Sequence, residues 1–357
     1  MPSDAAFWAG ELQKLSVGPV KLMEVCGTHT MAIAKAGIRS LLPEGVELLS
    51  GPGCPVCVTG SEKIDAVLEL AMRPEIRITT YGDMLRVPGS TPGDSLLRRR
   101  AEGAKVDVVY SPMDAIELAE AHPDEAIVFL GVGFETTAPG TAAAVLAARD
   151  RGVKNFSVWS MLKRVEPALR ALLAGEDFSI GGFLCPGHVA TIIGAEGFAF
   201  LPREYGMPAV VGGFEPEEIL RALCLLLRQI REGSPRLENA YPRAVSQTGN
   251  LLAQRMIERC LEPRRDVWRG LGEIEASGLA LREEFAAHDA EKKFASPPRP
   301  AKEPPGCRCG EVICGRCRPA DCPLFGRRCV PEDPVGPCMV SSEGACAAAY
   351  NYQEIRN

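Results

Sequence analysis

The chain has 357 residues, 46% of them hydrophobic and 24% charged, with a formal net charge of −6. That length suits two or three domains with sizeable cores, and the negative charge argues against general nucleic-acid binding. Glycine and proline, at 36 and 29 residues, make a loop-rich chain that still falls short of the compositions that stay disordered.

The first residues, MPSDAAFWAGELQKL, carry no basic segment followed by a long apolar one, so no signal peptide is expected. No run of 18 or more apolar residues occurs, so no membrane span is expected either. The outlier is cysteine, with 14 residues. In the cytoplasmic setting these features imply, thiols stay reduced, and many cysteines point to metal or redox chemistry rather than a disulfide scaffold.

From about residue 20 to 230, short runs of β-formers alternate with helical patterns. The strand-like runs are Val20–Val25, Val46–Ser50, Ile76–Thr80, Val106–Tyr110, Ile127–Val132, Phe156–Met161, Ile180–Leu184 and Ala209–Gly212. Helix-like runs include Glu62–Met72, Thr141–Arg149, Pro167–Leu173 and Pro216–Glu232. This alternation predicts an α/β fold of βαβ units, with parallel sheets covered by helices. A break at Asp150–Asn155 (DRGVKN) suggests two α/β domains, 1–150 and 151–240. The rest, 241–357, divides into a mostly helical connection over 243–290, a stiff Pro-rich linker over 295–306 and a cysteine-rich tail. Eight cysteines lie between 307 and 346, where so small a core needs metal to order it.

Functional residues of parallel sheets gather where strands end and helices begin. Five such junctions are chemically loaded. MEVCGTHT carries Cys26, Thr28, His29 and Thr30; LLSGPGCPVCVTGSE carries Cys54 and Cys57; TTYGD ends on Asp83; FLGVGFETTAPG carries Glu135, Thr136 and Thr137; FLCPGHV carries Cys185 and His188. Together they predict a cleft lined by thiols and imidazoles.

Cys54-Pro55-Val56-Cys57 is a C-x2-C pair, and Thr59-x-x-Glu62 reads as a capping box that starts a helix. A helix N-terminus just after Cys57 would lower its thiol pKa and suit a dithiol–disulfide couple. Half of a zinc site also fits the spacing; the βα setting and the lack of a second C-x2-C nearby favour redox. Cys26-x2-His29 supplies two good ligands for iron or zinc, and equally reads as a buried cysteine beside a structural histidine. Cys224 and Cys260 read as core or helix-surface thiols. In the tail, Cys307, Cys309, Cys314, Cys317, Cys322, Cys329, Cys338 and Cys346 suffice for a cubane cluster or a tetrahedral zinc. The compact set Cys307, Cys309, Cys314 and Cys317 is the zinc candidate.

The stretches MEVCGTHT, GPGCPVCVT, GFETTAP, CPGHV and CPLFGRRCVPEDPVGPCMVSSEGAC together resemble the HypD family, which builds the iron centre of [NiFe]-hydrogenases. The resemblance runs from near residue 23 to 346. It implies two parallel-sheet, Rossmann-like α/β domains around a cleft, plus a small C-terminal domain holding a [4Fe-4S] cluster. It implies a metal-centre assembly factor rather than a turnover enzyme. In stable complex with the small partner HypC, such a protein carries an iron atom that gains two cyanides and one carbon monoxide, the cyanides arriving by transient contact with HypE. By the same resemblance Cys26 binds that iron. His29, the dithiol Cys54 and Cys57, His188 and Glu343 match the family's functional residues, and the strand-end junctions add Asp83 and Glu135 to the candidate reacting site. The family's C-x14-C-x6-C-x16-C spacing selects Cys307, Cys322, Cys329 and Cys346 as cluster ligands, with Cys309 and Cys338 as alternates. Cys314 and Cys317 depart from the family pattern. Two other functions use the same parts: a [4Fe-4S]-dependent reductase of protein disulfides, and an adaptor with a zinc-binding tail.

Overall fold

The computed structural model describes residues 4–175, 179–294 and 303–352. Eleven strands form among them: β1 Val20–Glu24, β2 Val46–Ser50, β3 Ile76–Thr80, β4 Lys105–Val108, β5 Ala126–Gly133, β6 Phe156–Leu162, β7 Gly182–Pro186, β8 Ala209–Gly212, β9 Leu237–Asn239, β10 Leu261–Trp268 and β11 Gly272–Leu281. The first eight fall within two residues of the expected runs. β5 and β6 are buried along almost their whole length, as near-continuous apolar strands covered on both faces must be.

Two parallel sheets and one antiparallel hairpin result. One sheet has the order β4-β3-β5-β6, the other β2-β1-β7-β8-β9, and β10 pairs with β11. β1 joins the early and late parts of the chain, pairing Val20 with Val46 on one side and Leu22 with Gly182 on the other. The expected boundary at residue 150 falls within the helix Ala138–Arg151, between β5 and β6 of one sheet. Sheet membership therefore does not divide the chain there. The chain lays down β1 and β2, leaves to build the whole four-stranded sheet, and returns for β7–β9.

The helices end where their sequences dictate. Pro216–Glu232 opens with a reciprocal cap between Glu215 and Glu218 and stops at Gly233, whose φ of 61° few other residues tolerate. Its apolar face packs on the five-stranded sheet through Leu220, Leu223 and Leu227.

The expectation of a helical stretch over 243–290 is corrected. Only Leu251–Cys260 is a long helix there, and it runs directly into the β10–β11 hairpin. The hairpin clamps β6: Ser160 Oγ donates to Leu279 O at 2.6 Å. Between them lies a buried charge cluster. Fully buried Lys163 sits 2.9 Å from Asp266 and donates to Val267 O at 2.6 Å. Lys63 reaches the same carboxylate at 2.9 Å.

Most of the expected Pro-rich linker, residues 295–302, lies outside the described residues. The tail beyond it has no core of its own. Ile313, Met339, Val340 and Ala347 belong to the same apolar cluster as Met23, Leu49 and Val58. The helix Ala345–Tyr352 packs on the helix Gly27–Lys35, and Arg86 ties the tail down through Pro331 O and Val340 O at 3.0 and 3.3 Å. Among the described residues no helix is long and apolar enough to cross a membrane.

Candidate functional site

Parallel strands put their C-terminal ends on one edge, and four of the five loaded junctions meet there. Val25, Cys26, Thr28, Gly53, Pro55, Phe134, Thr136, Thr137, Pro186, His188, Val189 and Glu343 line one cavity of about 160 Å³. Asp83, in the turn Gly82–Arg86 after β3, is not among them.

Cys26 leaves β1 in an extended conformation and caps the helix Gly27–Lys35. The backbone N–H groups of His29 and Thr28 favour its thiolate, but burial outweighs them and pushes the thiol up to about 12. Glu24, fully buried, fixes this loop from below. Its carboxylate accepts from Cys26 N–H at 3.1 Å and from Thr30 Oγ at 2.6 Å. Burial lifts Glu24 to about 7, against the hydrogen bonds from Ser50 and Thr30.

His29 does not line the cavity. It is fully buried behind the wall, its Nε2 donating to Gly213 O at 2.8 Å. Burial pulls it down to about 4, so the ring is neutral, and its Nδ1 has no partner among the described residues. Phe214 lies between the two imidazoles, 4.7 Å from His29 and 3.9 Å from His188. His188 reaches the cavity, with Nδ1 3.4 Å from Thr28 Oγ1, and that hydroxyl lies 2.6 Å from Glu343 Oε1. A hydroxyl has one proton; with it given to Glu343, the Nδ1 of His188 must be the donor to Thr28. Burial lowers the His188 pKa while Glu343 opposes the shift. Glu343 comes from the tail and needs Gly27 beneath it: a Cβ there would stand 2.6 Å from Glu343 Cβ.

The C-x2-C loop is joined to the Cys26 loop by Gly27 N–H donating to Gly53 O at 2.9 Å. Cys54 caps the short helix Pro55–Val58, and its Sγ accepts from Cys57 N–H at 3.3 Å. The expected acidification of Cys57 is corrected. Cys57 lies inside that single helical turn, fully buried, and burial holds its pKa well above the ordinary thiol value. The expected capping box at Thr59 is absent too. Thr59 Oγ1 turns back to Pro55 O at 2.8 Å, and the helix Ser61–Leu70 starts behind Gly60.

Glu135 faces away from the cavity that its neighbours Phe134, Thr136 and Thr137 line. Its Oε1 accepts from Val165 N–H at 3.0 Å, its Oε2 has no partner among the described residues, and it borders a separate cavity of about 360 Å³ with Arg164 and Glu166. Cys185, Cys224 and Cys260 are core thiols, fully buried.

The tail's thiols begin where the dithiol ends. Cys57 Sγ neighbours Cys54, Cys338 and Cys309; Cys338 neighbours Cys309 and Cys346; Cys329 lies within electrostatic reach of Cys346 and Cys307. Backbone N–H groups point at two of these sulfurs: Val335 at Cys329, 3.3 Å, and Cys338 at Cys309, 3.4 Å. Cys322 Sγ is 3.9 Å from Gly306 O, beside Cys307. Cys314 turns elsewhere, donating to Gly270 O at 3.3 Å, so the compact set Cys307, Cys309, Cys314 and Cys317 is not brought together. Among the described residues no three His, Cys, Asp or Glu side chains converge on one ion-sized point. Cys307, Cys322, Cys329 and Cys346 are spread along the tail, Cys346 within the helix Ala345–Tyr352, and are soft anionic donors of the kind an iron–sulfur cluster or a zinc ion takes.

Sequence reasoning missed Glu24, the carboxylate that ends β1 two residues before a loaded cysteine. It also missed Phe214, whose position has no motif to mark it.

Comparison with known proteins adds a lineage. The family model HypD, described as the hydrogenase formation hypA family, matches residues 5–353. The hydrogenase maturation factor HypD of Azotobacter vinelandii is 48% identical over 342 residues, covering 94% of this chain and 90% of its own. The HypD of Rhizobium leguminosarum bv. viciae is 46% identical, covering 94% and 88%. That of Escherichia coli (strain K12) is 45% identical, covering 97% and 92%.

Proposed function

The chain belongs to the HypD family, and on that premise we propose that it is a hydrogenase maturation scaffold which, in complex with HypC, holds an iron atom while two cyanides and one carbon monoxide are added to it. Iron is the cargo and Cys26 its ligand on this chain. The observation that carries the reading is the cavity itself: one thiol, one imidazole and one carboxylate from three distant segments, with a dithiol one hydrogen-bonded loop away. In the metal-free chain the Cys26 thiol is protonated, so iron must displace that proton, and the cation then offsets the burial of a thiolate.

Cyanide arrives from HypE bonded to sulfur. Breaking that S–C bond to release cyanide takes two electrons. Cys54 and Cys57 supply them as their S–S bond forms; of the two thiol protons, one goes to the donor sulfur and the other is released as cyanide binds iron. His188, with Thr28 and Glu343 behind it, is the titratable group placed to hand over a proton at the cavity. A [4Fe-4S] cluster on Cys307, Cys322, Cys329 and Cys346 supplies, when bound, single electrons for returning the disulfide to the dithiol. The continuous line of thiols from Cys57 through Cys338 and Cys309 supports this. The reductase reading is weaker, because Cys54 and Cys57 are 5% and 2% exposed and no protein disulfide reaches them. The work takes place in the cytoplasm, where thiols remain reduced.

The test is infrared spectroscopy of the chain purified anaerobically with HypC. Cyanide and carbonyl bands are expected in the parent complex and are lost in Cys26→Ser. Cys54→Ser is expected to keep the visible absorbance of the cluster and lose the bands; normal hydrogenase maturation in Cys54→Ser would remove the redox role.

A further inference from the structure

The turn of the β10–β11 hairpin is wedged between the dithiol helix and the tail. Trp268 is fully buried and stacks on Phe134 at 6.0 Å. Next in the chain, Arg269 N–H donates to Val58 O at 2.9 Å, and its Nη2 donates to Thr59 O at 3.2 Å, both just beyond Cys57. Gly270 then presses on the tail: with φ at +80°, a Cβ there would stand 2.4 Å from the carbonyl of Gly310, the neighbour of Cys309.

The Arg269 side chain is 1% exposed, whereas its ion-pair partner Glu303 is 51% exposed. Glu303 is held in turn by Ser61 Oγ at 3.2 Å. The guanidinium's Nε–H is buried and has no acceptor among the described residues. A buried donor left unpaired is costly, and the Cys307 thiol lies within reach of the Arg269 charge.

We propose that Arg269, whose buried charge the hairpin turn holds between the dithiol helix and the tail, sets the reduction potential of the tail's iron–sulfur centre. The inference rests on reading the tail as a [4Fe-4S] site. A cluster gains one negative charge on reduction, and a nearby buried cation favours the more negative state. Arg269 therefore raises the potential. Glu303 acts in the opposite direction, more weakly because water screens its exposed carboxylate.

The full chain, reconstituted anaerobically with iron and sulfide, is titrated with dithionite while the reduced cluster is followed by electron paramagnetic resonance. Arg269→Gln is expected to titrate at a lower potential than the parent, Glu303→Gln at a higher one, and Arg269→Lys between parent and Arg269→Gln. Iron per chain is counted in each. Should Arg269→Gln fail to retain the cluster, the surface variant Glu303→Gln carries the test, since an upward shift has no explanation in lost packing. Equal potentials in parent and variants, or shifts of Arg269→Gln and Glu303→Gln in the same direction, overturn the inference alone. A parent chain that takes up no cluster overturns it together with the reading on which it rests.

Discussion

Glu135 shows how a single residue is read differently by sequence and by environment. It sits in a motif whose other members line the cavity, yet its side chain enters apolar packing on the far side of the turn. Burial lifts its pKa from 4.5 to about 7. A carboxyl whose folded pKa is raised adds stability that is complete below its unfolded pKa and is lost as pH rises through the folded value. The window runs from 4.5 to about 7, and the full shift corresponds to at most ~3 kcal/mol. Glu135→Gln is expected to match the parent at pH 4 and to exceed it in stability at pH 8, read as urea midpoints; a lower midpoint at pH 8 would contradict this. Cys57 is the companion case: its place near a helix start is legible in CPVC, but full burial reverses the expected direction of its pKa.

Among the elements, the β10–β11 hairpin is the one the sequence conceals. LEPRRDVW and GEIEASGLAL mix charges with apolar residues because one face is exposed while the other covers β6. The charges that disguise it also hold it. Asp266 is the shared anion of Lys63 and Lys163, and its pKa is lowered despite burial, chiefly by those two lysines. Asp266→Asn leaves fully buried Lys163 without its counter-charge and is expected to cost ~3–5 kcal/mol, measured by denaturant unfolding. Gly270→Ala combines a left-handed backbone with a clash against Gly310. Its expected loss is ~2–4 kcal/mol, with reduced cysteine protection in the tail when thiols are titrated with a maleimide.

The whole molecule is bound together by chain crossing. Because β1 pairs with both β2 and β7, neither half of the chain contains a complete five-stranded sheet. Severing the chain at Gly152 is therefore expected to give two fragments without cooperative unfolding on their own, and recovery of a cooperative transition when they are co-expressed, followed by circular dichroism in urea. Two independent transitions from the separate fragments would refute the interleaved sheets. The tail obeys the same logic: its apolar residues complete the core around Met23 and Leu49, so it is ordered by the sheets as well as by any metal.

The first eight strands, the parallel fold and the loaded junctions were determined by the sequence, because alternation of β-formers with helical periods and the clustering of Cys, His and Glu at strand ends are local properties. The family lineage was equally legible in its motifs. Tertiary structure alone decided which junctions share a cavity, that His29 stands behind its wall while Glu343 enters from the tail, and that a charged hairpin joins dithiol to tail. Those outcomes depend on burial and on strand order, which arise only when segments hundreds of residues apart exclude water together.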